Sequence, residues 1–167
     1  MTKTLMQLLK WPALRTSHNR NRRHDERLLK ITEVEDYQRS NPYIVTGYRD
    51  KLGLLACIKS LLSFHNETVN IWTHLIGFVI FVGLLAWDIF LVIPQLRNHP
   101  AVGTSDILVL VGIVICYQAC MFLSSVYHTF CCHSRTVSEK CLSLDLAGIT
   151  LALLATYLSG VYYRDSI

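Results

Sequence analysis

Two ionisable residues, His128 and Asp145, lie inside long apolar runs of this sequence, seventeen residues apart. An ionisable side chain at membrane depth costs about 2.5–3.5 kcal/mol on insertion scales, which makes such a residue a candidate functional site. If the two runs form an antiparallel helical hairpin, both residues lie at the same depth and face each other, and His128 can donate a hydrogen bond to Asp145. Paired imidazole and carboxylate groups indicate a metal site or a proton-transfer site.

Three apolar segments dominate the second half of the chain and must position these residues. They cover Ile71–Ile93, Ile107–Phe130 and Leu142–Tyr163. Each is longer than the roughly 20 residues that a helix needs to cross a hydrocarbon core of about 30 Å. The sequence therefore predicts an all-α, multi-pass integral membrane protein with three transmembrane helices.

Basic residues indicate the orientation of these helices. Twelve of the sixteen Lys and Arg residues lie within residues 1–70. The positive-inside rule then places the N-terminus and the second loop, His133–Lys140, in the cytosol. The basic run Arg20–Arg23 is too short to indicate nucleic-acid binding. It suits either anionic membrane lipids, as a topogenic or lipid-binding flank, or a transit peptide.

The composition divides the chain into three regions. Residues 1–40 form a basic, weakly ordered cytosolic region with some helix over 27–39. In residues 41–70, the stretch Tyr43–Tyr48 is expected either to be extended or to turn through Gly47, and an apolar stripe over 50–64 predicts an interfacial helix. Residues 71–167 form the membrane region. The six cysteines are expected to be reduced thiols. Three of them flank the bilayer and are either palmitoylation candidates or small apolar fillers, namely Cys131, Cys132 and Cys141.

Several short motifs, in this order, give the chain a family resemblance. They are Asn41-Pro42-Tyr43-Ile44, Gly47-Tyr48-Arg49, Asn66-Glu67-Thr68-Val69-Asn70-Ile71-Trp72-Thr73-His74-Leu75, Ser124-x3-His128-Thr129, Cys132-His133-Ser134 and Asp145-x2-Gly148. With these motifs the chain resembles the progestin and adipoQ receptors, seven-helix membrane proteins related to bacterial haemolysin III-like proteins. The resemblance implies that the three spans are the first three helices of that fold.

The resemblance also implies a zinc site. The histidine that matches His128 is a zinc ligand, and the aspartate that matches Asp145 contacts a zinc-bound water, with Ser124 one turn from His128. The two other histidine ligands come from an HxxxH motif on a seventh helix, and this sequence has no such motif. We therefore expect this chain alone not to bind zinc stably. A local alternative is a structural zinc cluster formed by His128, Cys131, Cys132 and His133, with or without Cys141.

Function follows from the resemblance in three alternative forms. The segment Cys57-Ile58-Lys59-Ser60-Leu61 is most similar to a Golgi-resident branch of the family that tethers Raf kinase. This predicts a signalling receptor or Golgi scaffold that restrains Raf kinase signalling through residues 1–70. The second form is a zinc-dependent, ceramidase-like lipid amidase, in which Asp145 positions the water and Ser124 assists. Such activity is expected only in a full-length form. The third is a non-functional or regulatory fragment.

Overall fold

A computed structural model describes residues 27–164, and three long helices dominate it. Helix α2 (Thr68–Trp87) continues through a π-helical turn (Asp88–Val92) into the short α3 (Ile93–Leu96), and α4 (Thr104–Phe130) and α5 (Arg135–Arg164) follow. Within residues 27–164, three continuous helical segments are long and apolar enough to cross a membrane. They are Thr68–Leu96, which combines α2, the π-helical turn and α3, then α4, and then α5. The three predicted spans are confirmed, and each observed helix extends beyond its predicted segment.

Helix α4 lies between α2 and α5 and packs against both. On the α2 side, the rings of Phe78 and Phe122 lie 5.4 Å apart. On the α5 side, a Cβ atom added to Gly148 would lie 3.0 Å from the Cα atom of Cys120, so the two backbones touch through a glycine. Because successive helices are antiparallel, α2 begins, α4 ends and α5 begins at one end of the bundle. We call this the proximal end.

The segment before α2 contains a two-stranded antiparallel sheet. Strand β1 (Leu29–Lys30) pairs with β2 (Thr46–Tyr48), and two single 3-10 turns lie between them. Gly47 has a φ of +93°, a left-handed conformation that glycine adopts without strain. Of the two conformations expected for Tyr43–Tyr48, the extended one is observed over Thr46–Tyr48, with Gly47 inside β2. The predicted helix over 27–39 is wrong, because only β1 and isolated turns form there.

Helix α1 (Leu54–Lys59) leads through a 3-10 turn (Ser60–Leu62) towards α2. It is shorter than the apolar stripe predicted. Cys57 is fully buried on its inner side, where Leu52 and Cys132 complete a small core at the proximal end. Its exposed residues are the apolar Leu54, Leu55 and Ile58, together with Lys59. This pattern suits an interfacial helix, and its placement in a leaflet stays a prediction.

Residues 1–26 and 165–167 lie outside the described part of the chain. The basic run Arg20–Arg23 is among them, so the expectations for lipid binding or targeting by this run stay predictions.

Candidate functional site

A carboxylate and an imidazole pair at the proximal end. Nδ1 of His128 lies 2.8 Å from Oε2 of Glu67, and both side chains are more than four-fifths buried. Glu67 precedes the first residue of α2, and His128 lies two residues before the end of α4. The antiparallel packing of these helices brings together two residues that are 61 positions apart in sequence.

Glu67 accepts further hydrogen bonds from its neighbours. The side-chain amide of Asn66 donates to Oε1 at 2.9 Å, and that of Asn70 donates to Oε2 at 2.8 Å. Burial raises the pKa of Glu67, but the hydrogen bonds from His128 and Asn70 outweigh it, so the pKa lies below its ordinary value. Glu67 is therefore an ionised carboxylate that orients the imidazole through Nδ1.

The pairing with Glu67 leaves the second ring nitrogen of His128 available. In the neutral tautomer whose Nδ1–H donates to the carboxylate, Nε2 carries the lone pair, as in the carboxylate–histidine arrangement common around metal ions. The ring of His74 lies beside it, with centroids 5.7 Å apart. Nδ1 of His74 is buried and has no hydrogen-bond partner among the described residues.

Asp145 is a further buried polar residue, on α5. It is 7% exposed, and its Oδ1 atom is buried and unpaired within residues 27–164. The contact of Gly148 with Cys120 sets the register of α4 and α5. Antiparallel packing at this contact places Asp145, one turn towards the proximal end, near the level of the buried Ser124, which lies about one turn along α4 from His128. The predicted hydrogen bond between His128 and Asp145 is wrong for the described residues, since Nδ1 of His128 pairs with Glu67 and Oδ1 of Asp145 has no partner there.

Arg49 anchors the N-terminal segment to the end of α4. Its side chain is 4% exposed, and Nη2 donates to the main-chain oxygen of His128 at 2.6 Å. Nη1 donates to the main-chain oxygen of Thr129 at 3.0 Å and to Oγ of Ser60 at 2.8 Å. The last carbonyls of a helix lack intrahelical partners and carry partial negative charge, so a guanidinium stabilises this end.

The donors present match zinc in chemical type but do not complete a site. Within residues 27–164, no group of three or more His, Cys, Asp or Glu side chains is placed to hold a metal ion. A histidine nitrogen and a carboxylate are common zinc ligands, yet stable sites use about four. The family zinc site at His128 and Asp145 therefore stays a prediction that depends on ligands from elsewhere.

The alternative cluster of cysteines and histidines does not form. Nδ1 of His133 lies 2.7 Å from the main-chain oxygen of Leu52, and the thiol of Cys132 lies against that of Cys57. His133 and Cys132 thus have other partners, and no three of these side chains are grouped to hold a metal ion within residues 27–164, which contradicts the local zinc cluster. Cys132 is 2% exposed, which makes it inaccessible to an acyltransferase in this conformation, whereas Cys131 and Cys141 are partly exposed.

Two residues of the site were not recognised from sequence as part of it. Glu67 and Arg49 were identified only as members of the family motifs. The spacing of Glu67, Asn70 and His74 is i, i+3 and i+7, which places all three on one helix face. Three polar residues on one face of an apolar helix are a signal that could have identified Glu67.

Comparisons with known proteins agree with the fold. A family model described as haemolysin-III related matches residues 62–165. The human progestin and adipoQ receptor family member 3 is 39% identical over 138 residues, 82% of this chain and 43% of the relative. Heptahelical transmembrane protein 1 of Arabidopsis thaliana is 33% identical over 141 residues, 81% of this chain and 41% of the relative.

A more distant relative extends the comparison. The adiponectin receptor protein of Drosophila melanogaster is 28% identical over 158 residues, 88% of this chain and 34% of the relative. The chain spans less than half the length of these three relatives. With three helices long and apolar enough to cross a bilayer, the chain is an integral membrane protein. It belongs to the haemolysin-III-related family, which includes the progestin and adipoQ receptors.

Proposed function

We propose that this chain is a signalling scaffold of the Golgi membrane that restrains Raf kinase through its N-terminal region, residues 1–70. Its 39% identity to progestin and adipoQ receptor family member 3 of human and mouse supports this assignment. The structural observation that carries it is the attachment of residues 27–62 to the proximal end by Arg49. A segment held in this way offers a partner a fixed surface.

The N-terminal segment also has groups with which a partner can interact. Tyr43 is 91% exposed, and Val45 on the same loop is 59% exposed. Twelve of the sixteen basic residues of the chain lie in residues 1–70, on the side that the positive-inside rule assigns to the cytosol. A cytosolic kinase can reach a surface on that side of the membrane.

In the test, the full chain is isolated from membranes, and the amount of Raf kinase isolated with it is measured. In one variant, residues 1–40 are replaced by a Gly/Ser linker of equal length. In the matched control, residues 97–103 are replaced in the same way at the opposite end of the bundle. We expect the first replacement to abolish kinase capture and the second to preserve it. Capture that survives the first replacement and fails with the second would refute the proposal.

A second candidate function rests on a different observation, the buried and unpaired carboxylate oxygen of Asp145. We propose that a full-length form hydrolyses a ceramide-like lipid amide at this site. His128 would hold a zinc ion through Nε2, with Glu67 fixing the ring. Zinc, when bound, acts as a Lewis acid and lowers the pKa of a bound water. Asp145 accepts a proton from the attacking water, and Ser124 contributes a hydroxyl on the same helix as His128.

This second candidate is tested with a fluorescent short-chain ceramide. Membranes that contain a form with the further ligands are compared with membranes that contain this chain alone. Asp145→Asn should reduce hydrolysis by the longer form by about 10²-fold or more, since it removes a proton acceptor. Asp88→Asn, near the opposite end of α2, is the control and should leave the rate unchanged. Equal rates for Asp145→Asn and the unsubstituted protein would exclude the role of this carboxylate.

A further inference from the structure

Two cysteine thiols meet at the proximal end, outside the polar site. Sγ of Cys57 lies 3.7 Å from Sγ of Cys132, although the residues are 75 positions apart. Cys57 belongs to α1, and Cys132 lies in the turn that joins α4 to α5. Cys57 is fully buried and Cys132 is 2% exposed. The pair therefore connects the N-terminal segment to the membrane bundle.

The two thiols have different environments. The hydrogen bond with Cys57 and the positive charge of Arg49 lower the pKa of Cys132 to about 7, against the opposing effect of burial. The same hydrogen bond and burial raise the pKa of Cys57. Nη2 of Arg49 also lies 3.5 Å from Sγ of Cys131, so the guanidinium adjoins this cysteine cluster. A thiolate beside a protonated thiol is the arrangement from which thiol oxidation proceeds.

A small polar cavity reaches Cys132. It is bordered by side chains of the N-terminal segment and of α4, including Gln38, Ser40 and Tyr127, and it has room for about one water molecule. Hydrogen peroxide, with two oxygen atoms, is larger than this space and reaches the sulfur when the bordering side chains shift, whereas oxidised glutathione is far too large to enter. Hydrogen peroxide is therefore the class of oxidant that needs the least movement of these side chains.

We propose that Cys57 and Cys132 are a reversible modification site, at which hydrogen peroxide forms a disulfide between α1 and the end of α4. The Cys132 thiolate attacks one peroxide oxygen, the O–O bond breaks, and a sulfenic acid and hydroxide result. Sγ of Cys57 then attacks Sγ of Cys132, so an S–S bond forms and the S–O bond breaks. The departing hydroxide takes the Cys57 proton and leaves as water. Two electrons pass from the thiols to the peroxide, and two waters form in total.

The geometry allows this bond with small movements. A disulfide requires sulfur atoms about 2.05 Å apart, so the two must approach by about 1.7 Å from their present separation. Rotations about the side-chain bonds of two adjacent cysteines supply such a shift. The bond would fix the N-terminal segment covalently where Arg49 now holds it by hydrogen bonds. Any partner bound to that segment would then meet a more rigid surface.

The experiment uses the full chain in membranes. It is treated with hydrogen peroxide, free thiols are alkylated, and the digested protein is analysed by mass spectrometry. We expect a peptide that joins Cys57 to Cys132, and its loss on treatment with dithiothreitol. Cys132→Ser should abolish the linked peptide. Cys131→Ser, the matched control at the adjacent position, should retain it, as should Cys116→Ser.

The unsubstituted chain decides the outcome even where Cys57→Ser or Cys132→Ser fails to fold. Failure to detect the Cys57–Cys132 peptide, under conditions where peroxide oxidises other thiols of the chain, would overturn the proposal. A linkage of Cys57 to Cys131 in place of Cys132 would overturn it as well.

Discussion

Nη2 of Arg49 lies 2.6 Å from the main-chain oxygen of His128, and the imidazole of the same histidine pairs with Glu67 at 2.8 Å. His128 is thus fixed twice, through its backbone by the N-terminal segment and through its ring by the start of α2. The geometry of the polar site therefore depends on a segment that precedes the membrane helices. We therefore expect substitutions in residues 27–62 to alter the position of His128.

Removal of this anchor should destabilise the protein. We expect Arg49→Ala to lower the free energy of unfolding by about 2–4 kcal/mol, because buried carbonyls lose a charged donor. Arg49→Lys should recover only part of the loss, since one ammonium cannot span both carbonyls as a guanidinium does. Denaturation of the purified chain in detergent measures the change. Lys51→Ala, at an exposed position, is the control, and an equal effect of the two alanine variants would contradict the anchoring role.

The carboxylate of Glu67 should orient the imidazole. In Glu67→Gln an amide of the same shape replaces the charge, so the hydrogen bond at Nδ1 of His128 weakens. We expect a loss of about 1–3 kcal/mol in the free energy of unfolding. We also expect a changed ¹⁵N resonance for His128 in histidine-labelled protein. Glu139→Gln serves as the control because that carboxylate is exposed. An unchanged His128 resonance in Glu67→Gln would argue against the pairing.

The stability of the chain should fall in mild acid because of His65. Burial, with the nearby charge of Arg49, lowers the pKa of His65 from 6.5 to about 4. The backbone N–H of Glu67 donates to its Nδ1 at 3.1 Å, which requires a neutral ring. Between these pKa values the unfolded chain binds the proton and the folded chain does not. Stability is therefore full above about pH 6.5 and falls as the pH decreases towards 4.

The melting temperature in detergent should accordingly be lower at pH 5 than at pH 7.5. His65→Gln should show a smaller decrease over the same range, even if it is less stable at pH 7.5. His99→Gln changes an exposed histidine at the other end of the bundle and should keep the original pH dependence. If His65→Gln retains the full decrease, then His65 is not its source.

The contact between α4 and α5 should not tolerate a side chain at Gly148. A Cβ atom there would lie 3.0 Å from the Cα of Cys120, which is backbone and cannot move alone. We expect Gly148→Ala to cost about 1–3 kcal/mol of stability through overpacking. Gly160→Ala in the same helix meets no atom within 4 Å and should be neutral or stabilising. Similar effects of the two substitutions in a denaturation experiment would contradict this packing.

The purified chain should contain much less than one zinc ion per molecule. His128 offers one ring nitrogen and Asp145 one carboxylate, which falls short of the usual four ligands. Elemental analysis measures the metal content. Near one zinc per chain, lost in His128→Ala but retained when Cys131 and Cys132 are both changed to alanine, would show that this set of ligands suffices.

The sequence predicted the helices well because span length and apolar composition are local properties. Ile107–Phe130 was predicted and α4 ends at Phe130, since the polar turn after it interrupts the apolar run. Helix α5 begins at Arg135, seven residues before its predicted span, because a helix can extend beyond the bilayer. Hydropathy reports the apolar part of a helix and gives no information on such an extension.

The site was predicted only in part. His128 and Asp145 were identified because polar groups in apolar runs are costly, and both are largely buried. The predicted hydrogen-bond partner of His128 was wrong. The prediction considered only the hairpin of α4 and α5, whereas Glu67 lies directly before α2. Arg49 could not be placed from sequence, since its acceptors lie 79 and 80 residues further along the chain. Contacts of that range depend on tertiary packing.

The long separation between Arg49 and its acceptors has a consequence for biosynthesis. The ribosome adds Thr129 to the chain 80 residues after Arg49. At about 5–20 residues per second, this is a delay of about 4–16 s. During that interval the guanidinium has no carbonyl of α4 to bind. The N-terminal segment is synthesised first but therefore docks only after α2 and α4 have been made. Its docked state indicates that the ribosome has already synthesised the second span.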